Sequence, residues 1–127
     1  MKKAIIVTAA SFLLGMSGIT VADPVSMVWT CTLNDGVPAE QSRAMGKKWV
    51  ALAKELTGND EITTSWVAAV IGDYGNFMWV DTFPSLDVWT ALQNAWPDSA
   101  DAAALDEEFE ANETCSSSRL YRSYSID

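Results

Sequence analysis

Two segments carry related strand sequences, Met27-Val28-Trp29-Thr30-Cys31-Thr32-Leu33 and Phe77-Met78-Trp79-Val80-Asp81-Thr82-Phe83. They align without gaps, and a tryptophan and a threonine recur at matching positions. Both are rich in β-branched and aromatic residues, which favour strands. A strand sequence that recurs in the second half of a chain predicts two similar halves, with these segments as the first and third strands.

Apolar periodicity, turn residues and caps predict the remaining elements. We expect a helix over residues 39–56, a strand over 63–71, a hairpin turn at 72–75, helices capped by Ser85 and Ser99, and a last strand over 119–126. The order is β-α-β followed by β-α-α-β. It predicts an α+β, ferredoxin-like βαββαβ fold with an extra helix before the last strand. A four-stranded antiparallel sheet would carry its helices on one face.

The composition limits the chemistry that is available to the chain. It has 127 residues, a net charge of −9, six tryptophans, two cysteines and no histidine, which indicates one domain rather than two. Without histidine, a Ser-His-Asp or Cys-His centre, an imidazole zinc site and a haem bound by a proximal histidine are excluded. We expect no metal and no cofactor. The acidic balance argues against nucleic acid as a partner.

Residues 1–22 have the pattern of a secretory signal peptide. Lys2 and Lys3 form a positive start, residues 4–16 are apolar but short for a bilayer span, and Thr20-Val21-Ala22 suits cleavage after Ala22. A retained N-terminal membrane anchor is the alternative. We expect residues 23–127 to form a single mature domain, periplasmic or secreted, with no membrane contact after cleavage.

Both cysteines, Cys31 and Cys115, belong to the expected mature domain. In an oxidising compartment they can pair in only one way within a monomer. Two free thiols or an intermolecular bond are the alternatives. A disulfide that closes so long a segment would stabilise the fold by about 4–5 kcal/mol at most.

Charge is unevenly distributed along the sequence. No lysine or arginine occurs between Lys54 and Arg119, and the region of the last helix carries Asp101, Asp106, Glu107, Glu108, Glu110 and Glu113. A basic first helix beside this acidic one would be complementary, although exposed ion pairs contribute little. We interpret the acidic run as a solvated face. A calcium site or a cationic partner is the alternative, and the spacing does not fit an EF-hand loop.

Alternation along the repeated strands divides the sheet into two faces. One face would carry the bulkier set and meet the helices: Trp29, Cys31, Leu33, Trp79, Asp81 and Phe83. The opposite face would carry small, uncharged residues: Val28, Thr30, Thr32, Met78, Val80 and Thr82. A monomer would leave this second face wet, so a second copy is the simplest partner and we expect a homodimer.

The strand from Met27 through Gly36, the helix residue Trp49 and the run from Phe77 through Trp89 resemble secreted members of the dimeric α/β-barrel superfamily. The resemblance implies that two ferredoxin-like sheets pack face to face into a barrel, with a pocket between sheet and helices in each subunit. The superfamily includes cofactor-independent monooxygenases, haem-degrading enzymes and many proteins of unknown function. The haem-degrading members use a histidine, which this chain lacks. No motif here matches a monooxygenase site.

Asp81 is the candidate acid or base, because it lies in an aromatic strand on the expected helix-facing side, and a buried carboxylate must be paired, hydrogen-bonded or protonated. An aspartate at a strand end, bonded to loop amides or to a nearby lysine, is the alternative. Trp29, Trp49 and Trp79 are the candidate ligand-binding aromatics, since two strands and the first helix would converge there. Core packing is the default role of each tryptophan.

The leading hypothesis for function is non-catalytic binding of a small apolar or aromatic ligand in the sheet-helix cleft, with stacking on tryptophans and orientation by Asp81. Arg122 and Tyr124, which share a face of the predicted last strand, could supply polar contacts. One alternative is a cofactor-independent monooxygenase that acts on an electron-rich aromatic, with Asp81 as proton acceptor. The other is a structural or interaction protein with a filled core.

Overall fold

The secondary structure follows the predicted succession of strands and helices. The computed structural model describes residues 22–127, so the predicted signal peptide, apart from Ala22, lies outside the described residues. The elements are β1 (Val25–Leu33), α1 (Ala39–Thr57), β2 (Thr63–Ala68), β3 (Phe77–Phe83), α2 (Leu86–Ala95), a 3₁₀ turn (Trp96–Asp98), α3 (Ala100–Asn112) and β4 (Glu113–Arg122). No helix within the described residues is long and apolar enough to span a membrane.

The four strands form one antiparallel sheet in the order β2-β3-β1-β4. The repeated strands β1 and β3 lie side by side at its centre, with Trp29 directly opposite Trp79. The hydroxyls of Ser85 and Ser99 cap α2 and α3 by accepting hydrogen bonds from backbone N–H groups three residues further on. The ferredoxin-like α+β fold expected from the sequence is confirmed.

The hydrophobic core lies between the sheet and the helices. Val25 and Phe83 from the central strands pack with Ala53 of α1 and Leu92 of α2. Farther along the same face, the buried residues Cys31, Phe77 and Trp79 pack against Phe109 of α3. The predicted division of the sheet is therefore confirmed. Trp29 shares the helix-facing side but remains 38% exposed.

The second strand is shorter than predicted. It ends at Ala68, which pairs with Phe77 at the start of β3. Residues 69–76 therefore have no strand to pair with, and Val70 and Ile71 are 86% and 91% exposed. The predicted hairpin turn at 72–75 lies inside this longer connection, where Gly72 takes a φ of 111°.

The last strand begins earlier than predicted. It runs from Glu113 to Arg122 instead of over 119–126, because its pairing with β1 extends from Leu33 opposite Glu113 to Val25 opposite Arg122. As an edge strand it leaves most of its side chains in water, so its sequence shows little apolar alternation. Tyr124 lies beyond the strand, and the predicted face shared by Arg122 and Tyr124 is wrong. Both side chains are exposed.

The predicted disulfide is present, between Cys31 and Cys115. Cys115 lies on β4 opposite Cys31, ahead of residue 119, where the last strand was predicted to begin. A register shift between Thr30 and Cys31 brings the two residues opposite each other. The bond thus joins two adjacent strands and closes a segment of 84 residues.

The charges on α1 and α3 are complementary, as expected. The two helices are in contact, and Lys48 Nζ lies 2.8 Å from Glu108 Oε2. The pair is solvent-exposed, so it contributes on the order of 0.2–1 kcal/mol. The pair lies at the contact between α1 and α3. α3 also contacts β4 at the edge of the sheet.

Candidate ligand-binding cavity

A cavity of about 520 Å³ lies between the sheet and the helices. Six of the side chains that line it are aromatic: Trp29, Trp49, Trp79, Trp96, Phe83 and Phe109. They come from β1, α1, β3, the 3₁₀ turn and α3, so the walls depend on the assembled tertiary structure. Four acidic residues also line it, namely Asp81, Asp106, Glu110 and Glu113.

The structure brings together all four residues that the sequence singled out as a site. Trp29 and Trp79 face each other across the β1–β3 ladder, and Asp81 follows Trp79 on the same face of β3. Trp49 reaches the cavity from α1 and packs edge-on against Phe83, with ring centroids 6.2 Å apart. The convergence follows from strand alternation and from the helical periodicity of α1.

Asp81 is a buried carboxyl group whose main hydrogen-bond partner is Thr64. It is 6% exposed, and the Thr64 hydroxyl donates to its Oδ1 over 2.6 Å. Burial raises the pKa of Asp81 to about 6, while hydrogen bonding from Thr64 and, to a smaller degree, from Trp29 opposes the rise. The partner is a strand hydroxyl rather than the loop amides or lysine of the alternative reading. The group can therefore change its charge near neutral pH.

Glu113 is a second buried carboxylate, which the sequence pattern assigned to the solvated acidic face. It is 5% exposed. Its Oε1 accepts a hydrogen bond of 2.7 Å from the Trp79 indole, and its Oε2 accepts one of 2.8 Å from the Ser42 hydroxyl. Burial raises the pKa of Glu113, and these two hydrogen bonds counteract the rise. Glu113 thereby fixes the orientation of the Trp79 ring.

The Ser42 hydroxyl extends this network to a second tryptophan. It accepts a hydrogen bond of 3.3 Å from the Trp66 indole while it donates to Glu113. Trp66 stacks on Phe77 with ring centroids 4.8 Å apart, and the Arg43 guanidinium lies 5.4 Å from the Trp66 ring centroid. The chain of contacts ties α1, β2, β3 and β4 together behind the cavity.

Gly46 sets the position of the Trp79 ring from the side of α1. A Cβ atom at this position would lie 2.5 Å from Cη2 and from Cζ3 of Trp79. Glycine inside a helix costs about 1 kcal/mol relative to alanine. Its presence in the middle of α1 is therefore explained by the close approach of the indole.

The far wall of the cavity is held by a contact between the 3₁₀ turn and α3. The Trp96 indole donates to Asp106, with its nitrogen 3.0 Å from Oδ2 and 3.2 Å from Oδ1. The Trp96 ring lies 6.4 Å from the Trp49 ring, centroid to centroid. One turn further along α3, Phe109 meets the Trp79 ring edge-on, with ring centroids 6.2 Å apart.

One cluster of potential metal ligands adjoins the cavity. Ligand atoms of Cys31, Glu113 and Cys115 lie within 4.8 Å of one another. Both sulfurs are consumed by the disulfide, and metal binding by cysteine requires a thiolate. The Glu113 oxygens already accept hydrogen bonds from Trp79 and Ser42. These residues therefore form a structural junction instead of a metal centre.

Comparisons with known proteins support the fold. No protein-family profile matches the chain, and no curated protein sequence resembles it significantly. Among solved structures, it is similar to SnoaB, a cofactor-independent oxygenase from Streptomyces nogalater, with 13% identity and a TM-score of 0.56 over 83% of this chain and 97% of that one. It is also similar to a NIPSNAP family protein from Agrobacterium tumefaciens, with 13% identity and a TM-score of 0.57 over 84% and 89% of the two chains.

A third similar structure is Rv0793 from Mycobacterium tuberculosis, with 10% identity and a TM-score of 0.51 over 82% of this chain and 96% of that one. At these levels of identity the likeness is one of fold. It agrees with the superfamily resemblance found in the sequence. The chain therefore has a ferredoxin-like fold that is shared with a cofactor-independent oxygenase and with NIPSNAP proteins.

Proposed function

We propose that this chain binds a small apolar or aromatic molecule in the cavity between its sheet and its helices, without carrying out chemistry on it. The observation that carries the proposal is a cavity of about 520 Å³ whose walls are aromatic and which contains buried carboxyl groups. Ligand sites in proteins typically measure about 300–1,000 Å³ and combine apolar walls with a few polar groups. Stacking on the tryptophans supplies affinity, and Asp81 orients a polar group of the ligand.

Tryptophan fluorescence tests this proposal directly. The purified protein is titrated with a panel of aromatic compounds, quinones and haem. Saturable quenching by one class at micromolar concentration supports a ligand site, and Trp49→Phe should reduce its amplitude. Trp89→Phe is the matched control, because Trp89 lies on α2 outside the cavity lining. The absence of a saturable response from every compound contradicts the proposal.

We further propose that the domain acts in the periplasm or outside the cell. The Cys31–Cys115 disulfide supports an oxidising compartment, and residues 1–22 have the pattern of a cleaved leader. Cell fractionation of the full-length chain, followed by mass spectrometry of its N-terminus, tests both points. The expected product begins at Asp23 and leaves the cytoplasm. A cytoplasmic protein that keeps residues 1–22 would contradict the assignment.

We propose a homodimer in which two open sheet faces pack together. Val28 and Val80 lie opposite each other on that face, away from the helices, and its residues on the central strands are uncharged. Val80→Lys should convert the dimer into a monomer, as measured by light scattering after size-exclusion chromatography. Ala103→Lys, on an exposed position of α3, should leave the dimer intact. A monomeric wild-type protein would overturn this proposal.

The second candidate function is a cofactor-independent oxygenase. It is favoured by the fold shared with SnoaB and by a buried carboxyl, Asp81, whose pKa of about 6 suits a proton acceptor near neutral pH. Oxygen consumption in the presence of a compound that quenches tryptophan fluorescence distinguishes an oxygenase from a binding protein. Loss of that consumption in Asp81→Asn, with the ligand still bound, supports catalysis. Binding without oxygen consumption supports the first proposal.

A purely structural protein was the remaining alternative. That role predicts a filled core beside Asp81, whereas Asp81 lines a cavity. The structure therefore gives no support to a filled core at this position.

A further inference from the structure

The charged groups that line the cavity are all acidic. They are Asp81 on β3, Asp106 and Glu110 on α3, and Glu113 on β4. No lysine or arginine is found among the described residues of its lining. Two basic residues of α1 have partners outside the cavity, Lys48 with Glu108 and Arg43 with Glu40 and Trp66. An anionic ligand would therefore meet uncompensated negative charge.

These acidic groups differ in how far their hydrogen-bonding capacity is filled. Glu113 accepts from Trp79 and Ser42, and Asp106 accepts from Trp96 through both oxygens. Asp81 is 6% exposed and accepts a close hydrogen bond from Thr64 and a weaker one from Trp29, although a carboxylate can accept about four. Within the described residues, no basic side chain pairs with it. Asp81 is the buried acceptor with room for a ligand.

The aromatic walls, like the acidic groups, favour a cationic ligand. The faces of tryptophan rings carry negative electrostatic potential and attract cations, and the effect is larger where water is excluded. Trp29, Trp49 and Trp79 line the same cavity as Asp81. Aromatic cages are used by proteins to bind quaternary ammonium groups. The net charge of −9 would also raise the local concentration of cations.

Resting on the proposed binding function, we infer that the cavity selects ligands that carry one positive charge on an apolar or aromatic body, with the ammonium group paired to Asp81. Neutral molecules of the same shape bind more weakly, and anions bind most weakly. The inference combines two independent observations. One is the aromatic lining, and the other is a buried carboxyl with unfilled acceptor capacity.

The test compares three ligands that share one ring system and differ in charge. They are 2-naphthylmethylammonium, 2-naphthylmethanol and 2-naphthoate, titrated into the full-length or leader-cleaved protein by isothermal titration calorimetry at pH 8. We expect the ammonium compound to bind about tenfold or more tightly than the alcohol, since a cation–π contact and an ion pair each contribute in a desolvated site. The carboxylate should bind more weakly than both.

Substitution at Asp81 identifies the residue responsible. Asp81→Asn should remove the preference for the ammonium compound over the alcohol and leave the affinity for the alcohol within about twofold. Glu107→Gln is the matched control, because Glu107 is an exposed acid of α3 outside the cavity lining. It removes one negative charge, as Asp81→Asn does, and should preserve the preference.

The outcomes separate this inference from the proposed function. Equal affinity for the ammonium compound and the alcohol, or tighter binding of the carboxylate, overturns charge selection and leaves the binding function standing. Binding of none of the three, together with no saturable response in the fluorescence panel, overturns both. Because the three-ligand series on the wild-type protein is decisive by itself, the test does not depend on the folding of the Asp81 variant.

Discussion

The benzo ring of Trp79 rests on Gly46, so close that a single methyl group on Gly46 would lie 2.5 Å from two of its carbons. The other side of the same indole is fixed by its hydrogen bond to Glu113. The indole therefore has little room to move away from Gly46. Its position, and with it one wall of the cavity, depends on the absence of a side chain at Gly46.

Gly46→Ala should therefore destabilise the protein, although alanine favours helix by about 1 kcal/mol. Overpacking of this kind costs about 1–3 kcal/mol and occasionally more. The displaced indole should also weaken ligand binding. In a Trp79→Phe background the benzo ring is gone, and Gly46→Ala should become neutral or stabilising. Urea unfolding of the four proteins in this double-mutant cycle measures the coupling; additive effects would contradict the contact.

Asp81 should make stability depend on pH. Its ordinary pKa is 3.8 and its folded-state pKa is about 6, so the folded state favours the protonated form. The resulting stability is fully present below about pH 4 and is lost as pH rises through 6. At pH 8, Asp81→Asn should therefore be more stable than the wild type, by on the order of 3 kcal/mol.

Urea unfolding between pH 4 and pH 8 measures this difference. It should shrink towards zero at the acid end. Asp106, Glu110 and Glu113 face the same cavity from α3 and β4, but they are present in both proteins, so the comparison isolates position 81. Glu107→Gln should show no such trend. A variant that is less stable than the wild type at every pH would mean that the Thr64 hydrogen bond dominates.

Ser42→Ala should destabilise the protein by about 1–3 kcal/mol, because it removes a partner from buried Glu113 and from the Trp66 indole. It should also raise the pKa of Glu113 further, since the hydroxyl hydrogen bond lowers it. Thermal unfolding and near-ultraviolet circular dichroism report the change. Ser65→Ala, at an exposed position of β2, is the control, and equal losses from both substitutions would count against the network.

Removal of the disulfide should cost about 2–5 kcal/mol. The double substitution Cys31→Ser and Cys115→Ser should lower the unfolding midpoint, and reduction of the wild type should reproduce that loss. The reductant should have no effect on the variant, which serves as its own control. A reduced wild-type protein with an unchanged midpoint would show that the bond adds little stability.

The sequence predicted those parts of the fold in which one periodicity dominates. Trp29 and Trp79 alternate with small residues, so their strands and shared face could be identified, and the period of 3.6 placed Trp49 on the inner side of α1. β4 was misplaced because it is an edge strand with a run of serines and no apolar alternation. The β2 boundary was wrong because the apolar residues Val70 and Ile71 continue the strand pattern beyond Ala68, which pairs with the first residue of β3.

Strand periodicity also predicted part of the candidate site. Residues of one strand that alternate with apolar partners, such as Asp81, can be assigned to a face from sequence alone. Glu113 could not be assigned in this way, because its burial depends on where α3 ends and β4 begins. With the correct boundary, strand alternation places Glu113 on the same face as Cys115, two residues later. The role of Gly46 depends on a contact between distant segments, although glycine in mid-helix was a visible signal.

The disulfide forms after the chain is made, and it lies next to the cavity. Cys115 forms part of the cavity lining, and Glu113, two residues earlier, holds Trp79 in place. A newly made, reduced chain lacks the covalent link that secures β4 beside β1. On the proposed location of the protein, the bond forms only after export, so molecules confined to the reducing interior of the cell never meet the oxidised form of the cavity.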